Sequence, residues 1–303
     1  MPEIIKNRSE ILFLYDVKDA NPNGDPVDEN KPRIDEETGV NIVTDVRLKR
    51  TVRDYLYEYK GQEVFIREIR KDDGNLKTKE ERLNEFGEDS IIDKCIDIRL
   101  FGSTTAVEDR TIALTGPVQF KYGRSLHKVD LTYIKGTTVM PSGADKKQGT
   151  FTERYILPYS LIVFYGIVNE NAAKTQGISL TEEDVDLMLD AIWNGTKNLI
   201  SGSKFGQMPR LLIQIIYKKN QNFHIGELDR LVSIKSEKPD EAIRDISELK
   251  IDITELVRTI TKYKDKIEKI RLKSDDRIKY IKDGQDTDLK TALNGLTLKE
   301  LAF

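Results

Sequence analysis

Apolar residues gather into a few short runs separated by long polar stretches. Ile11, Leu12, Phe13, Leu14, Tyr15 and Val17 crowd residues 9–17, which predicts a buried strand. Residues 155–168 read as a long buried strand, and 209–217 as another, with Leu211, Leu212, Ile213, Ile215 and Ile216. Residues 116–123 alternate like a strand between turn residues, and 64–70 are expected to form one more. Helical spacing starts at Thr44 or Asp45, either of which can cap, and runs to about Tyr59. A second helix is expected from Ser90 through Ile91, Ile92, Cys95, Ile96 and Leu100, stopped at Phe101-Gly102. The clearest helix opens at Ser179-Leu180-Thr181-Glu182-Glu183-Asp184 and is expected to end near Gly202. Between these elements lie the dense turn chemistry of Asp19-Ala20-Asn21-Pro22-Asn23-Gly24-Asp25-Pro26 and a loop expected over 135–149. The last 80 or so residues mix helical spacing (Ile253, Leu256, Ile260, Tyr263) with alternating charge.

Stripped of insertions, the order is strand, helix, strand, then strand, helix, strand. That order predicts an α+β fold of the ferredoxin-like type, shared by RNA-binding domains and by many enzymes. Residues 1–303 are expected to form one elaborated domain, with inserted loops at 17–43 and 136–150 and a charged region at 218–303 completing it.

Composition narrows the chemistry. Charged residues make up 33% of the chain, against about 25% in a typical globular domain, which points to long loops or several interfaces. With 49 basic and 52 acidic residues the chain is not globally basic, so nucleic-acid contact must come from a local patch. One cysteine and two histidines exclude an intrachain disulfide and a Cys/His zinc cluster within the chain. No apolar run is long enough to span a bilayer and no signal-peptide pattern opens the sequence, so the expectation is a soluble, cytoplasmic protein without a membrane partner.

Four segments carry candidate chemistry. On a helical projection of 45–59, Leu48, Val52, Tyr55, Leu56 and Tyr59 fall on one side and Lys49, Arg50 and Arg53 on the other. With Arg47 and the capping Thr44, these are either a solvated face or a phosphate grip at a helix N-terminus. The acids Asp16, Asp19, Asp25, Asp28 and Glu29 around the Asn-Pro turns suit either a divalent cation or simple turn geometry. In the expected loop at 136–150, Val139 and Met140 read equally as a wedge between bases, with Lys146 and Lys147 on the backbone, or as a hydrophobic tether to the core. Ser203, Lys204, Phe205 and Gln207 combine close backbone approach, charge and a stacking face, while Gln119, Lys121 and Arg124 either line a groove or form the polar side of a strand. No acid–base pair stands out as catalytic, and no cofactor motif is present.

These segments, taken in order, resemble the backbone subunit of the type I-B CRISPR surveillance complex (Cascade), the Cas-seven group (Csh-two subgroup) of the RAMP superfamily. The resemblance covers most of 9–217. It rests on the Asn21-Pro22-Asn23-Gly24-Asp25-Pro26 turn, Thr44-Asp45-Val46-Arg47-Leu48-Lys49-Arg50 with Arg53, and Leu100-Phe101-Gly102. It rests equally on Gly116-Pro117-Val118-Gln119-Phe120, Gln148-Gly149-Thr150-Phe151 and Ser203-Lys204-Phe205-Gly206-Gln207. It implies an RRM-type palm that polymerises head to tail along CRISPR RNA, gripping phosphates through Lys49, Arg50 and Arg53, with Ser203–Gln207 near the RNA backbone. The segment at 136–149 would be a thumb, with Val139 and Met140 as its base-displacing wedge. The partners implied are CRISPR RNA, target DNA through the guide, further copies of the chain, and Cascade subunits of the Cas-five, Cas-six and Cas-eight types. Related type III backbone subunits cut target RNA with a palm-loop aspartate, so a metal-dependent ribonuclease is the alternative, with Asp16, Asp19, Asp25 or Asp28 in that role.

Overall fold

The computed structural model describes residues 3–86, 91–107, 110–137 and 151–303. Its centre is the strand Ser9–Ala20, three residues longer than the apolar run alone suggests. Phe151–Val168 and Gln207–Tyr217 flank it, both antiparallel, so that Phe13 stands opposite Phe164 on one side and Leu212 on the other. The nine-stranded sheet continues through Gly123–Lys128 to Val40–Val43 on one side, and through Ile267–Ser274 to Leu298–Glu300 on the other.

Both faces of the central strand are buried, which is why its hydrophobic run is continuous rather than alternating. Ile11, Phe13, Tyr15 and Val17 face the helices Asp45–Lys60 and Glu182–Lys197 through Val52, Leu56, Met188 and Ile192. Leu12 and Leu14 face the opposite way, into a second core with Ile213, Ile251, Leu256 and Ile260. Residues 218–303 build that second layer. They form a four-stranded sheet (Ser233–Ser236, Leu249–Asp252, Tyr280–Lys282, Gln285–Thr287) and the helix Thr254–Lys262, and they lend two strands to the main sheet. The helical spacing expected in the charged C-terminal third is that of the helix Thr254–Lys262, which buries Leu256 and Ile260, and short strands, 3-10 turns and loops make up most of the rest. Its strands are short and half-exposed, so charged residues occupy their outer positions.

Polar anchors fix this layer. Glu10 is fully buried and accepts from the Tyr165 and Tyr217 hydroxyls and from the backbone N–H groups of Ile225 and Gly226. Asp16 pairs with Arg210 at 2.7 Å and accepts from the Tyr159 hydroxyl at 3.1 Å, and Arg210 also holds Asp275 at 2.8 Å. Burial raises the Asp16 carboxyl, a tendency these hydrogen bonds oppose.

Three expectations change in the structure. Residues 64–70 form no strand, because the N–H groups of Phe65 and Ile66 donate to the Asp97 carboxylate at 2.8 and 3.1 Å instead of to a neighbouring strand. The helix expected from Ser90 is two short helices, Ile91–Lys94 and Ile96–Phe101, broken at Cys95, whose φ/ψ of −106°/110° is extended; Ser90 itself lies outside the described residues. The clearest helix ends at Lys197 rather than near Gly202, leaving 198–206 as a loop. Its start is as expected: Thr181 and Asp184 form a reciprocal capping box, each bond 3.1 Å.

Part of the segment expected to be an irregular loop is a strand. Thr132–Thr137 pairs with the first third of Phe151–Val168, from Thr132 opposite Ile156 to Thr137 opposite Phe151. This two-stranded arm is about 20 Å long at roughly 3.3 Å per residue. Val139, Met140, Lys146 and Lys147 lie outside the described residues. Among the described residues no helix is long and apolar enough to cross a membrane.

Candidate nucleic-acid interface

An RRM-type sheet stacks RNA bases on an open face. Here helices cover one face and residues 218–303 the other, so a ligand must use the end or edge of the sheet. The candidate residues cluster at one end, where the central strand finishes, the Asp45–Lys60 helix starts and Gln207–Tyr217 begins.

Backbone hydrogen bonds stitch this end together. The loop at 201–206 lies along the end of the central strand, with Lys18 N donating to Gly206 O at 2.9 Å and Asn21 N to Ser203 O at 2.8 Å. Gly206 is required here: its φ is +108°, and a Cβ would lie 2.3 Å from the Lys18 carbonyl oxygen. Asn23 ties the same turn to the helix by accepting from both N and Oγ1 of Thr44 at 2.9 Å, and Thr44 Oγ1 in turn caps Arg47 N.

Two cations sit within this frame without an acidic partner among the described residues. Arg47 donates through Nη2 to Thr51 Oγ1 at 3.0 Å, while its buried Nε has no partner. Lys204 Nζ donates to the Asn21 carbonyl oxygen at 2.7 Å. Burial lowers the Arg47 guanidinium from its usual value. Burial first, and then the charge of Arg47, bring Lys204 down to about 8. Two half-buried cations that repel each other, beside a helix N-terminus, are arranged for an anion. Gln207, on the same side, donates to Lys204 O at 3.1 Å, and Phe205 is 68% exposed beside it.

The other expected residues divide. Lys49 follows Arg47 along the helix, held between Asp45 at 2.9 Å and Gln119 Oε1 at 3.1 Å. Arg50 faces solvent, paired with Asp54 at 2.7 Å. Arg53 does not share that solvent face. It is 7% exposed and pairs at 2.9 Å with fully buried Asp97, because the segment after the helix folds back over it. Tyr59, expected on the buried side, is exposed near the helix end. Lys121 reaches Asp229 at 3.0 Å and Arg124 reaches Asp35 at 3.2 Å, neither in contact with the cluster.

Sequence reading missed the organising role of Asn21 and Asn23, whose Asn-Pro spacing suits turns of any purpose. It also missed Arg154, which donates to Gly202 O at 2.9 Å from the base of the arm. Of the acids of the turn, Asp16 pairs with Arg210, Asp25 with Arg33 at 3.4 Å and Asp28 with Lys31 at 2.7 Å, whereas Asp19 is exposed and without an ion pair among the described residues. Among the described residues no group of three or more His, Cys, Asp or Glu is placed to hold a metal ion. His127 is buried as a core residue, with Nδ1 on Lys128 O at 2.7 Å and Nε2 accepting from Leu161 N at 3.2 Å.

Comparisons with known proteins agree with the sequence resemblance. Residues 7–254 match the family model described as CRISPR-associated protein Cas7. A curated relative from Haloferax volcanii, CRISPR-associated protein Cas7, is 33% identical over 307 residues, covering 90% of this chain and 88% of its own. Among solved structures, a chain of a CRISPR RNA-guided surveillance complex superposes with a TM-score of 0.54 at 15% identity, covering 97% of this chain and 94% of that one. A chain from a CRISPR RNA-guided surveillance complex in a pre-nicking state gives 0.57 at 12% identity, covering 98% and 96%. At such low identity the two structures speak for the fold alone, an α+β architecture of this kind. The family match and the curated relative place the chain in the CRISPR-associated protein Cas7 family.

Proposed function

We propose that this protein is the RNA-binding backbone subunit of a type I-B CRISPR surveillance complex, working in the cytoplasm and repeating head to tail along the guide. The observation that carries the proposal is the pair Arg47 and Lys204, two neighbouring half-buried cations with no ion-paired carboxylate among the described residues. A phosphodiester supplies that missing charge with little dependence on base sequence, as a subunit that accepts any guide requires. Phosphates would then run past Lys49 and Arg50, and Phe205 would offer a stacking surface. Arg53, being consumed by Asp97, holds the helix in place and makes no direct contact.

The order of the central strands, fourth-first-third-second along the chain with both helices on one face, supports a ferredoxin-like palm. The arm at 132–137 and 151–156 would be the base of a thumb carrying Val139 and Met140 as the wedge, with Lys146 and Lys147 on the backbone. Base pairing between guide and target DNA would supply specificity, as in other RNA-guided systems. The subunit would be a scaffold without catalysis or cofactor; three of the four candidate aspartates, Asp16, Asp25 and Asp28, pair with Arg210, Arg33 and Lys31, which leaves Asp19 as the residue the ribonuclease alternative would use.

A nuclease footprint of RNA bound to the purified protein, repeated with a complementary strand and Mg²⁺, tests this function. Regular protection with an intact complementary strand is the expected result. Regular cuts in that strand would make the protein a ribonuclease.

A further inference from the structure

Lys204 occupies an unusual place for an ammonium group. Among the described residues its one hydrogen-bond acceptor is the neutral Asn21 carbonyl. The titratable groups around it do not favour its charge: Arg47 comes from the helix, Arg154 reaches the adjoining Gly202 from the arm, and the buried Tyr15 phenol lies on the central strand beside Arg47. Of the helix carboxylates, Asp45 is paired with Lys49 and Asp54, further along, with Arg50, while the Asp54 charge also favours the charged form of Arg47. An ammonium so placed gains little from its charge until an anion arrives.

We infer that Lys204 takes up a proton from solvent when a phosphodiester binds beside Arg47, so that RNA binding is proton-linked and weakens in mild alkali. This rests on reading the end of the sheet as an RNA site, and adds a regulation to it. The sign follows from the two states. Without ligand, burial and then Arg47 hold Lys204 at about 8. A phosphate oxygen against Nζ favours the charged form and returns the group toward the ordinary lysine value of about 10.4. Between those values the free protein is mostly neutral at Lys204 and the complex is protonated. Binding then takes up close to one proton, and affinity falls by up to about tenfold per pH unit. Below that window Lys204 is charged in both states and this dependence disappears.

The test is titration calorimetry of the full chain with a homopolymeric single-stranded RNA at about pH 9, in two buffers of different ionisation enthalpy. The heats are expected to differ by the ionisation of nearly one proton per bound chain. Lys204→Arg, whose guanidinium stays charged, is expected to bind with no buffer difference. Lys204→Met is expected to lose the proton uptake as well and to bind more weakly at about pH 7. Equal heats for the unaltered protein, or an undiminished buffer difference in both variants, overturn the inference while leaving the RNA site standing. If the unaltered protein fails to bind RNA at about pH 7, the proposed function itself falls.

Discussion

Buried charge is handled differently in two regions of this molecule. Under the C-terminal layer, Asp16 and Asp275 are balanced by Arg210 and Arg277, and Glu10 is surrounded by four donors. At the end of the sheet, Arg47 and Lys204 are half-buried and form no ion pair among the described residues. Desolvating a charge is costly unless a partner compensates it. The first arrangement pairs its charges within the chain, although Arg210 Nε, like Arg47 Nε, has no hydrogen-bond partner, and it holds its layers together. The second is incomplete and favours a polyanion from outside.

Substitutions on the two sides should therefore separate stability from binding. The largest effect is expected from Arg210→Ala, which strands the buried Asp16 carboxylate and should cost about 3–5 kcal/mol in denaturant unfolding. A loss below about 1 kcal/mol would show that the C-terminal layer does not depend on this pair. Next comes His127, whose pKa burial lowers. The unfolded chain binds this proton more readily, so stability is present above an unfolded value of about 6.5 and declines as pH falls through it, by at most about 1.4 kcal/mol per unit. Unfolding of His127→Gln followed across that range should show a shallower decline than the unaltered protein.

Lys204→Met should reverse the pattern of Arg210→Ala. Removing an uncompensated cation should leave the unfolding free energy unchanged or slightly higher while weakening RNA binding by about tenfold, roughly 1.4 kcal/mol, at neutral pH. A drop in stability without loss of binding would mean that the Asn21 contact is structural. The smallest effect belongs to Arg50→Ala. Its exposed pair with Asp54 contributes about 0–1 kcal/mol, so stability should hardly move while the salt dependence of RNA binding loses about one unit of slope or less.

How much of this was legible in the sequence depends on what each residue packs against. The central strands and two long helices follow from their own apolar patterns, because Ile11 to Val17 or Leu48 to Leu56 carry the whole signal locally. The strands beyond Tyr217 do not, since half their positions face solvent and carry the charges that mask the alternation. Arg53 shows the limit of a helical projection, which locates one core but is blind to Asp97 approaching from the other side. For the candidate site, Arg47, Lys204 and Gln207 stand out by type and motif. What joins them is a set of backbone bonds between residues nearly two hundred positions apart, which no local pattern encodes.

The central claim is that an internally unpaired pair of cations binds RNA phosphates. A salt titration of RNA affinity for Arg47→Ala/Lys204→Met beside the unaltered protein tests it most directly. The account predicts weaker binding to every RNA sequence, unchanged thermal unfolding, and a plot of log K against log salt shallower by about 1–1.5. An unaltered slope and affinity in a folded double variant would contradict it.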